Sequence, residues 1–522
     1  MEKNTFYITT AIDYVNGLPH IGHAYEKIAT DVIARHFKQR GKDVFFLTGS
    51  DEHGIKIQKT AQDLGISPKE HCDKTSAEFK KAWAKADIEY NRYIRTTDAD
   101  HEKLVQWAFE ELLKKGDIYK SSYTGLYCSG CEAFLSPREL DENGCCPIHQ
   151  KKPQEVQEEN YFFKLSKYKD AIAEHIRKNP NFILPKSREN EVLNQLKDIE
   201  DISVSRSKNS VSWSIDVPSD PQQGVYVWID ALSNYITGVG CLDDKEKFNK
   251  YWPCDVHVIG KDILKFHSIY WIAFLMALGI ELPKSIFAHG WITIDETKMS
   301  KSLGNVISID NLMETFGLQD ADAIRYFLMT TASFGKDGNY SDEEFKSKVN
   351  ADLANNVGNL LNRTLSMLVK YFDGKISKSG NEFMDKELFD LCTTTVEEVE
   401  RKFDYYEVTE AIEAVIRLVD TTNKYVNDKA PWALAKTDLI ECEKVLYSVL
   451  EVMKYTSVLL FPVIPNISQR IWEQLGFDGQ IKDVQIADLK NINLKSAQIA
   501  TKEIINPVFL RLDSEIAKDK KK

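Results

Sequence analysis

The chain has no disulfide framework, no apolar run of membrane-spanning length and no leader-like start. Its nine cysteines are an odd number, and Cys72, Cys241, Cys254, Cys392 and Cys442 are scattered without a recurring spacing. That pattern excludes a disulfide-stapled secreted scaffold and predicts reduced thiols in a cytosol-like compartment. The longest apolar run, IYWIAFLMALGI, is too short to cross a bilayer and is bounded by His267 and Glu281. It reads as a buried helix, and a membrane is not an expected partner. Met1 to Asn4 lead directly into TFYITTAI, without the basic stretch and cleavage site of a secretory leader, so the expected location is cytoplasmic. Internal repeats are also lacking, which sets aside solenoids and propellers.

What is present fits a soluble globular protein of two to four domains: 522 residues, 43% hydrophobic and 28% charged. The formal net charge of −12 does not exclude nucleic acid, because local basic stripes decide such binding and an acidic remainder discourages nonspecific contact.

TFYITTAI, an amphipathic segment from His20 to Gln39, the stop at Gly41 and then DVFFLTGSDEHG form a strand-helix-strand pattern, the start of a parallel sheet. Its first loop and the end of its second strand, with Asp51, Glu52 and His53, fall at the carboxyl edge, where open α/β folds place ligands. After about Lys115, YCSGCEAFLSPRELDENGCCPIHQ breaks the rhythm as an insertion, and GVYVWIDALSNYI and DVHVIGKDILKFHSIYWIAFLMALG restore it. From about Val349 onward apolar residues recur at helical spacing, which predicts a helix bundle. The terminal AKDKKK reads as a solvated charge run.

In LPHIGH, Pro19 fixes the approach to a helix start and Gly22 lets the backbone come close to a ligand. Unpaired N–H groups and two imidazoles there suit an anionic oxygen such as a phosphate, whereas a metal would need a third ligand. Alone the four letters are a weak match, and surface histidines with local partners account for them equally. Far downstream, DETKMSKSLGN places Lys298 and Lys301 around Ser300, two ammonium groups able to neutralise a triphosphate. The insertion carries C-x2-C-x14-C-x2-H: Cys128, Cys131, Cys146 and His149. Four soft or imidazole ligands close a tetrahedron, so the spacing predicts one structural Zn²⁺, with Cys145 the alternative to Cys146 as third ligand. In NNVGNLLNR, asparagines sit where a helix is predicted, and Asn359 and Arg363 share one face at i and i+4. On the residues alone, helix capping and packing are favoured over base recognition.

H-I-G-H after the first strand, with K-M-S-K-S after the last sheet segment, resembles the paired signatures of the class I aminoacyl-tRNA synthetases. Across nearly the whole chain the resemblance is closest to the methionyl-tRNA synthetase family, in the bacterial branch with one zinc knuckle and no appended C-terminal tRNA-binding module. It implies a ligase that activates L-methionine with ATP to methionyl-adenylate and pyrophosphate, then transfers methionine to the terminal ribose of tRNA(Met), initiator and elongator alike. The implied ATP site is His20, Gly22, His23, Lys298 and Lys301, with Mg²⁺ accompanying the nucleotide; Arg206, in ISVSRS, would join His20, His23 and the two lysines in catalysis. The implied methionine pocket is Ile12, Tyr14, Asp51, Trp228, Ala231, Leu232, Tyr235 and His289, in which Asp51 accepts from the ammonium and aromatic walls contact the thioether. Leu232 stands where some members have proline, and Trp228 and Tyr235 read from the residues alone equally as core aromatics. Asn359, Arg363, Pro431 and Trp432 match anticodon-reading positions. The expected organisation is an α/β Rossmann-like parallel-sheet catalytic domain in two halves, 1–116 and 224–290, split by a zinc-bearing connective insertion at 117–223. A lysine-loop and stem-contact region at 291–348, an α-helical anticodon-binding bundle at 349–485 and a C-terminal extension at 486–522 follow, in a monomer.

Overall fold

The computed structural model of the chain describes residues 4–128, 133–135, 140–148, 150–294, 297–298, 306–494, 499 and 505–512. Its centre is a parallel sheet of seven strands among the described residues. β1 (Thr5–Thr10), β2 (Asp13–Tyr14), β3 (Asp43–Asp51) and β4 (Arg92–Arg95) are joined by strands Ile183–Leu184, Val256–Gly260 and Ile286–His289. β1 lies between β3 and Val256–Gly260, and Ile286–His289 lies beyond the latter.

Aromatic and β-branched residues in TFYITT favour the extended chain, and side chains alternate across it. Phe6 and Ile8 enter one apolar core with α1 (Ile21–Gln39), whereas Tyr7 enters a second core with helices Ala99–Lys114, Val227–Thr237 and Trp271–Leu278. Burial of both faces is what an all-parallel sheet requires. The apolar run predicted as a buried helix supplies Trp271–Leu278, and no helix among the described residues is long and apolar enough to cross a membrane.

Two features differ from the sequence-based expectation. Residues 117–223 do not stay outside the sheet: Ile183 and Leu184 pair in parallel with Ile286 and Phe287. A two-residue strand leaves no periodic trace. That segment also holds an antiparallel sheet of Ala133–Leu135, Ile118–Cys128, Gln154–Phe163 and Ile202–Ser203, a small second sheet, and the helices Lys169–Lys178 and Glu189–Gln195. The amphipathic segment at α1 also has no wet face along most of its length: Glu26, Lys27, Asp31 and Arg35 are buried with its apolar residues.

The helices Asn359–Phe372, Lys386–Phe403, Val408–Lys429, Leu439–Leu460 and Pro465–Gln474 form the bundle. Its interior is continuous with the core on the α1 side of the sheet, so the bundle and catalytic layers share one apolar cluster. The C-terminal extension folds back on it, where Leu512 and Asn350 exchange hydrogen bonds of 2.8 and 2.9 Å. AKDKKK lies outside the described residues.

Candidate active site

The two histidines of LPHIGH build the start of α1. His20 is the N-cap, and its Nδ1 accepts from the Gly22 N–H at 3.1 Å, while the His23 Nδ1 accepts from the His20 N–H at 3.3 Å. This is a capping box made of imidazoles, with ring centroids 3.8 Å apart. A neutral imidazole that accepts at Nδ1 carries its proton at Nε2. Both rings are therefore set as Nε2–H donors beside the positive end of a long helix. The Ile21 N–H donates to the Ile307 carbonyl at 2.9 Å, so chain leaving the lysine-rich loop runs past this helix start. Lys298 closes the strand Thr297–Lys298 opposite Thr293. Its side chain, Ser300 and Lys301 lie outside the described residues.

The residues expected around methionine come from four elements joined by hydrogen bonds. Tyr14 pairs with Asp51 across β2 and β3, and the Val15 N–H donates to the Asp51 carbonyl at 3.3 Å. His289 ends its strand opposite Gly260, its Nδ1 2.6 Å from the Gly290 carbonyl. A Cβ at Gly290 would lie 2.1 Å from the Lys336 carbonyl, so only glycine lets the chain turn there. Helix Val227–Thr237 supplies the remainder. Trp228 stacks on Phe266 at 3.6 Å and 6°, Ala231 is buried, and Leu232 and Tyr235 lie in the second core. The Tyr235 hydroxyl is 2.7 Å from the His267 Nε2, and burial raises its pKa well above the usual range. Tyr235 thus has the packing of a core aromatic, whereas Trp228, Tyr14 and Ile12 are each half-buried.

Glu52 and His53 are structural partners of this edge. Glu52 accepts from Arg95 at 2.6 and 2.8 Å, from Ser50 and from Thr97. The His53 Nδ1 is 2.7 Å from Asp230, whose other oxygen is 2.8 Å from the His101 Nε2. Burial opposes charging of His53, but Asp230 overcomes it and holds the imidazole above its usual pKa. This His–Asp–His chain fixes Val227–Thr237 against β3. Arg206 lies on Ser205–Ser207, with its guanidinium over Tyr226 at 4.4 Å and Tyr127 at 5.4 Å. It lines a small hollow with His53 and Gly54.

Sequence reasoning missed a buried charge cluster under the helix start. Lys27 donates to the Asp13 Oδ1 at 2.7 Å, the Glu26 Oε1 at 2.8 Å and the Ala11 carbonyl at 3.0 Å. The other Glu26 oxygen is 3.0 Å from the His289 Nε2. In sequence these residues read as the polar side of an amphipathic helix, and nothing local announces their burial.

In the insertion, Cys128 closes the long strand Ile118–Cys128 and is buried, as is Cys146. Cys131 and His149 lie outside the described residues, among which no three His, Cys, Asp or Glu side chains gather for a metal. The thiol chemistry fits zinc. The Gln150 N–H donates to the Cys146 carbonyl at 2.7 Å and the Cys146 N–H to the Lys151 carbonyl at 2.9 Å, which holds Cys146 against Gln150 and Lys151. Cys145 is only half-buried, its Sγ 3.9 Å from the Asn143 carbonyl.

In the bundle, Asn359 is exposed at the start of its helix, which continues a π-helical segment, Asn350–Gly358. Such segments are costly and recur at functional sites. Arg363 reaches across to Asn423 at 3.0 Å, and Asn423 donates to Asn356 at 2.6 Å. Asn423 is a further candidate that the sequence did not single out. Pro431 is buried at the first position of the next helix, and Trp432 beside it is 45% exposed.

A family model described as tRNA synthetases class I (M) matches residues 6–155 and 136–365, and one described as the anticodon binding domain of methionyl tRNA ligase matches 377–503. The methionine–tRNA ligase of Caldanaerobacter subterraneus subsp. tengcongensis is 46% identical over 91% of this chain and 74% of its own length. That of Halalkalibacterium halodurans is 43% identical over 98% of this chain and 79% of its own. Among solved structures, Mycobacterium tuberculosis methionyl-tRNA synthetase with methionyl-adenylate superposes with a TM-score of 0.90 at 39% identity, covering 97% of this chain and all of that one. Its apo form superposes with a TM-score of 0.84 at 35% identity, over 98% of this chain and 99% of its own.

Proposed function

The chain belongs to the methionyl-tRNA synthetase family of class I aminoacyl-tRNA synthetases, and from that premise we infer how its own residues carry out the activity. It is a methionine–tRNA ligase. The observation that carries this reading is the whole-chain likeness, at a TM-score of 0.90, to a structure holding methionyl-adenylate.

The ammonium of L-methionine binds the Asp51 carboxylate, and the thioether lies between Ile12, Tyr14 and Trp228, with Ala231, Leu232 and Tyr235 behind it and His289 closing the pocket. ATP lies over the start of α1 near Gly22, its phosphates meeting the Nε2–H groups of His20 and His23 and the ammonium groups of Lys298 and Lys301. The methionine carboxylate attacks the α-phosphorus, the bond to the β-phosphate oxygen breaks, and pyrophosphate leaves. No protein group has to move a proton in this step. The contribution is in-line placement and donors aimed at developing negative charge. The capping box supports the donor role, because it fixes both rings before substrate arrives. Arg206 steadies the reacting carboxylate side of the pocket, and Mg²⁺ accompanies ATP as charge neutraliser.

Cys128, Cys131, Cys146 and His149 would hold one structural Zn²⁺ that ties the insertion loops together. Burial of the Cys128 and Cys146 thiols supports this set over one using Cys145. Asn359, Arg363, Pro431 and Trp432 read the anticodon of tRNA(Met), initiator and elongator, a role supported by the exposed indole of Trp432, which offers a stacking face, and by the Arg363 guanidinium, held by Asn423 at 3.0 Å. The protein works as a cytoplasmic monomer. The test is methionine-dependent ATP–pyrophosphate exchange without tRNA. Exchange driven better by leucine or valine than by methionine would overturn the substrate assignment.

A further inference from the structure

Lys27 is 2% exposed and sits two turns into α1, on the helix whose first turn carries His20 and His23. All three of its ammonium hydrogens are used: on the Asp13 carboxylate, the Glu26 carboxylate and the Ala11 carbonyl. Burying one cation with two carboxylates is expensive, and apolar residues of the same volume would stabilise the helix as well or better. The cluster therefore calls for a role other than stability, and its partners indicate one.

Ala11 and Asp13 flank Ile12 and precede Tyr14, so two of the three bonds grip the loop after β1 on both sides of a methionine-pocket residue. The third holds Glu26, whose second oxygen faces the His289 ring at 3.0 Å. Burial opposes ionisation of Lys27 and Glu26 alike, but their mutual attraction, with Asp13 and His289, prevails: Lys27 is held above its usual pKa and Glu26 below. Burial raises the pKa of the Asp13 carboxyl to about 7, so the Lys27–Glu26 pair is the part of the cluster that stays charged at neutral pH.

We propose that Lys27 is a positioning residue for methionine: it clamps the Ala11–Tyr14 loop and, through Glu26, the His289 ring onto α1, holding amino-acid pocket and phosphate site in one register. The proposal rests on the pocket assignment above. Lys27 touches neither substrate, so its effect falls on methionine more than on ATP.

The experiment measures KM for methionine and for ATP separately, by pyrophosphate exchange, in the full-length chain. Lys27→Met keeps the volume and removes the donors; it is expected to raise the methionine KM about tenfold or more while the ATP KM stays within about twofold. Asp13→Asn, which weakens one bond only, should give about a threefold rise. Because both residues act through one contact, the double variant Asp13→Asn/Lys27→Met should bind methionine no more weakly than Lys27→Met alone, a non-additivity that independent structural damage would not produce. His289→Ala is the control on the pocket. If it raises the methionine KM and Lys27→Met, folded by circular dichroism, does not, the clamp is wrong and the pocket stands. If His289→Ala leaves the methionine KM unchanged, the pocket reading falls and the clamp with it. A parallel rise in both KM values also overturns the clamp. Should Lys27→Met be unfolded at the assay temperature, Asp13→Asn decides, and an unchanged methionine KM there refutes the proposal.

Discussion

Arg325 offers the most demanding test of how the catalytic layers and the bundle are joined. Its side chain is fully buried, and every guanidinium nitrogen is used. Nε donates to the Val463 carbonyl at 2.9 Å, Nη1 to the Ala86 and Asp87 carbonyls at 3.0 Å each, and Nη2 to the Asp31 Oδ2 at 2.6 Å and the Pro462 carbonyl at 2.8 Å. Asp31 belongs to α1, Ala86 follows the helix Pro68–Lys85, and Pro462 and Val463 follow Leu439–Leu460 of the bundle. One side chain therefore fastens three parts of the molecule. Arg325→Met keeps most of the volume, leaves Arg35, at 2.8 Å, as the one cation on Asp31, and strands the Ala86, Pro462 and Val463 carbonyls in a dry contact, since Asp87 still accepts from Arg35. Removing one partner of a buried ion pair costs about 3–5 kcal/mol, and the carbonyl losses are part of the same deletion, so about 5 kcal/mol is the working figure. For a cooperative unit of bundle size each kcal/mol is worth about 2–4 °C, which predicts a loss of roughly 10–20 °C. Calorimetry should show that loss as an early, separate transition of the bundle. Below it, tRNA-independent pyrophosphate exchange should persist within about threefold, while tRNA aminoacylation falls about tenfold or more, because the bundle no longer sits at a fixed distance from the pocket. A loss of less than about 3 °C, or equal losses of both activities, would refute the reasoning.

Other expectations are shorter. Lys301→Ala should lower the exchange rate by about 3 kcal/mol of barrier, roughly 150-fold, with the methionine KM unchanged; equal kinetics by the same assay would remove Lys301 from the phosphate site. Purified protein should carry about one zinc by elemental analysis, absent in Cys128→Ser and Cys146→Ser and kept in Cys145→Ser; loss in Cys145→Ser alone would exchange the third ligand. Asp322 is buried, and burial with the nearby Asp320 charge raises its pKa to about 7. Its folded form thus holds a proton that the unfolded chain releases near pH 4, and this term weakens the fold as pH rises from about 4 to 7. The melting temperature of Asp322→Asn relative to the unsubstituted chain should accordingly climb across that window and level off above it; a difference that does not change with pH would mean that Asp322 is ionised when folded.

The parts of the fold legible in the sequence are those whose signal is local. β1, α1 and β3 follow from residue type and spacing within a short window, and so do the long bundle helices. The start of α1 at His20 follows from a proline and a glycine beside it, whereas the capping bonds between His20 and His23 do not. Two kinds of feature were not legible. Ile183–Leu184 is too short to show a period, and only its pairing with Ile286 and Phe287 makes it a strand of the central sheet. The polar residues of α1 have the opposite difficulty. Their spacing is clear, but it has two structural meanings, a solvated face or a buried one, and the choice depends on partners elsewhere in the chain.

Those partners explain why α1 can be buried on nearly all sides. Its first turn presents His20 and His23, its second places Glu26 and Lys27 against Asp13 and His289, and its third and fourth give Asp31 to Arg325 and Arg35 to the carbonyl of Asp87. The proposed phosphate site, the proposed amino-acid pocket and the bundle junction thus follow one another along one helix. A buried ion pair is poor at adding stability but strict about geometry, and the two clusters are placed where geometry between distant segments has to be held. Lys27→Met and Arg325→Met should therefore separate: the first acting on methionine without loosening the bundle, the second loosening the bundle without changing the methionine KM. If either variant produced both effects, α1 would be transmitting strain along its length, and the two clusters would be one device.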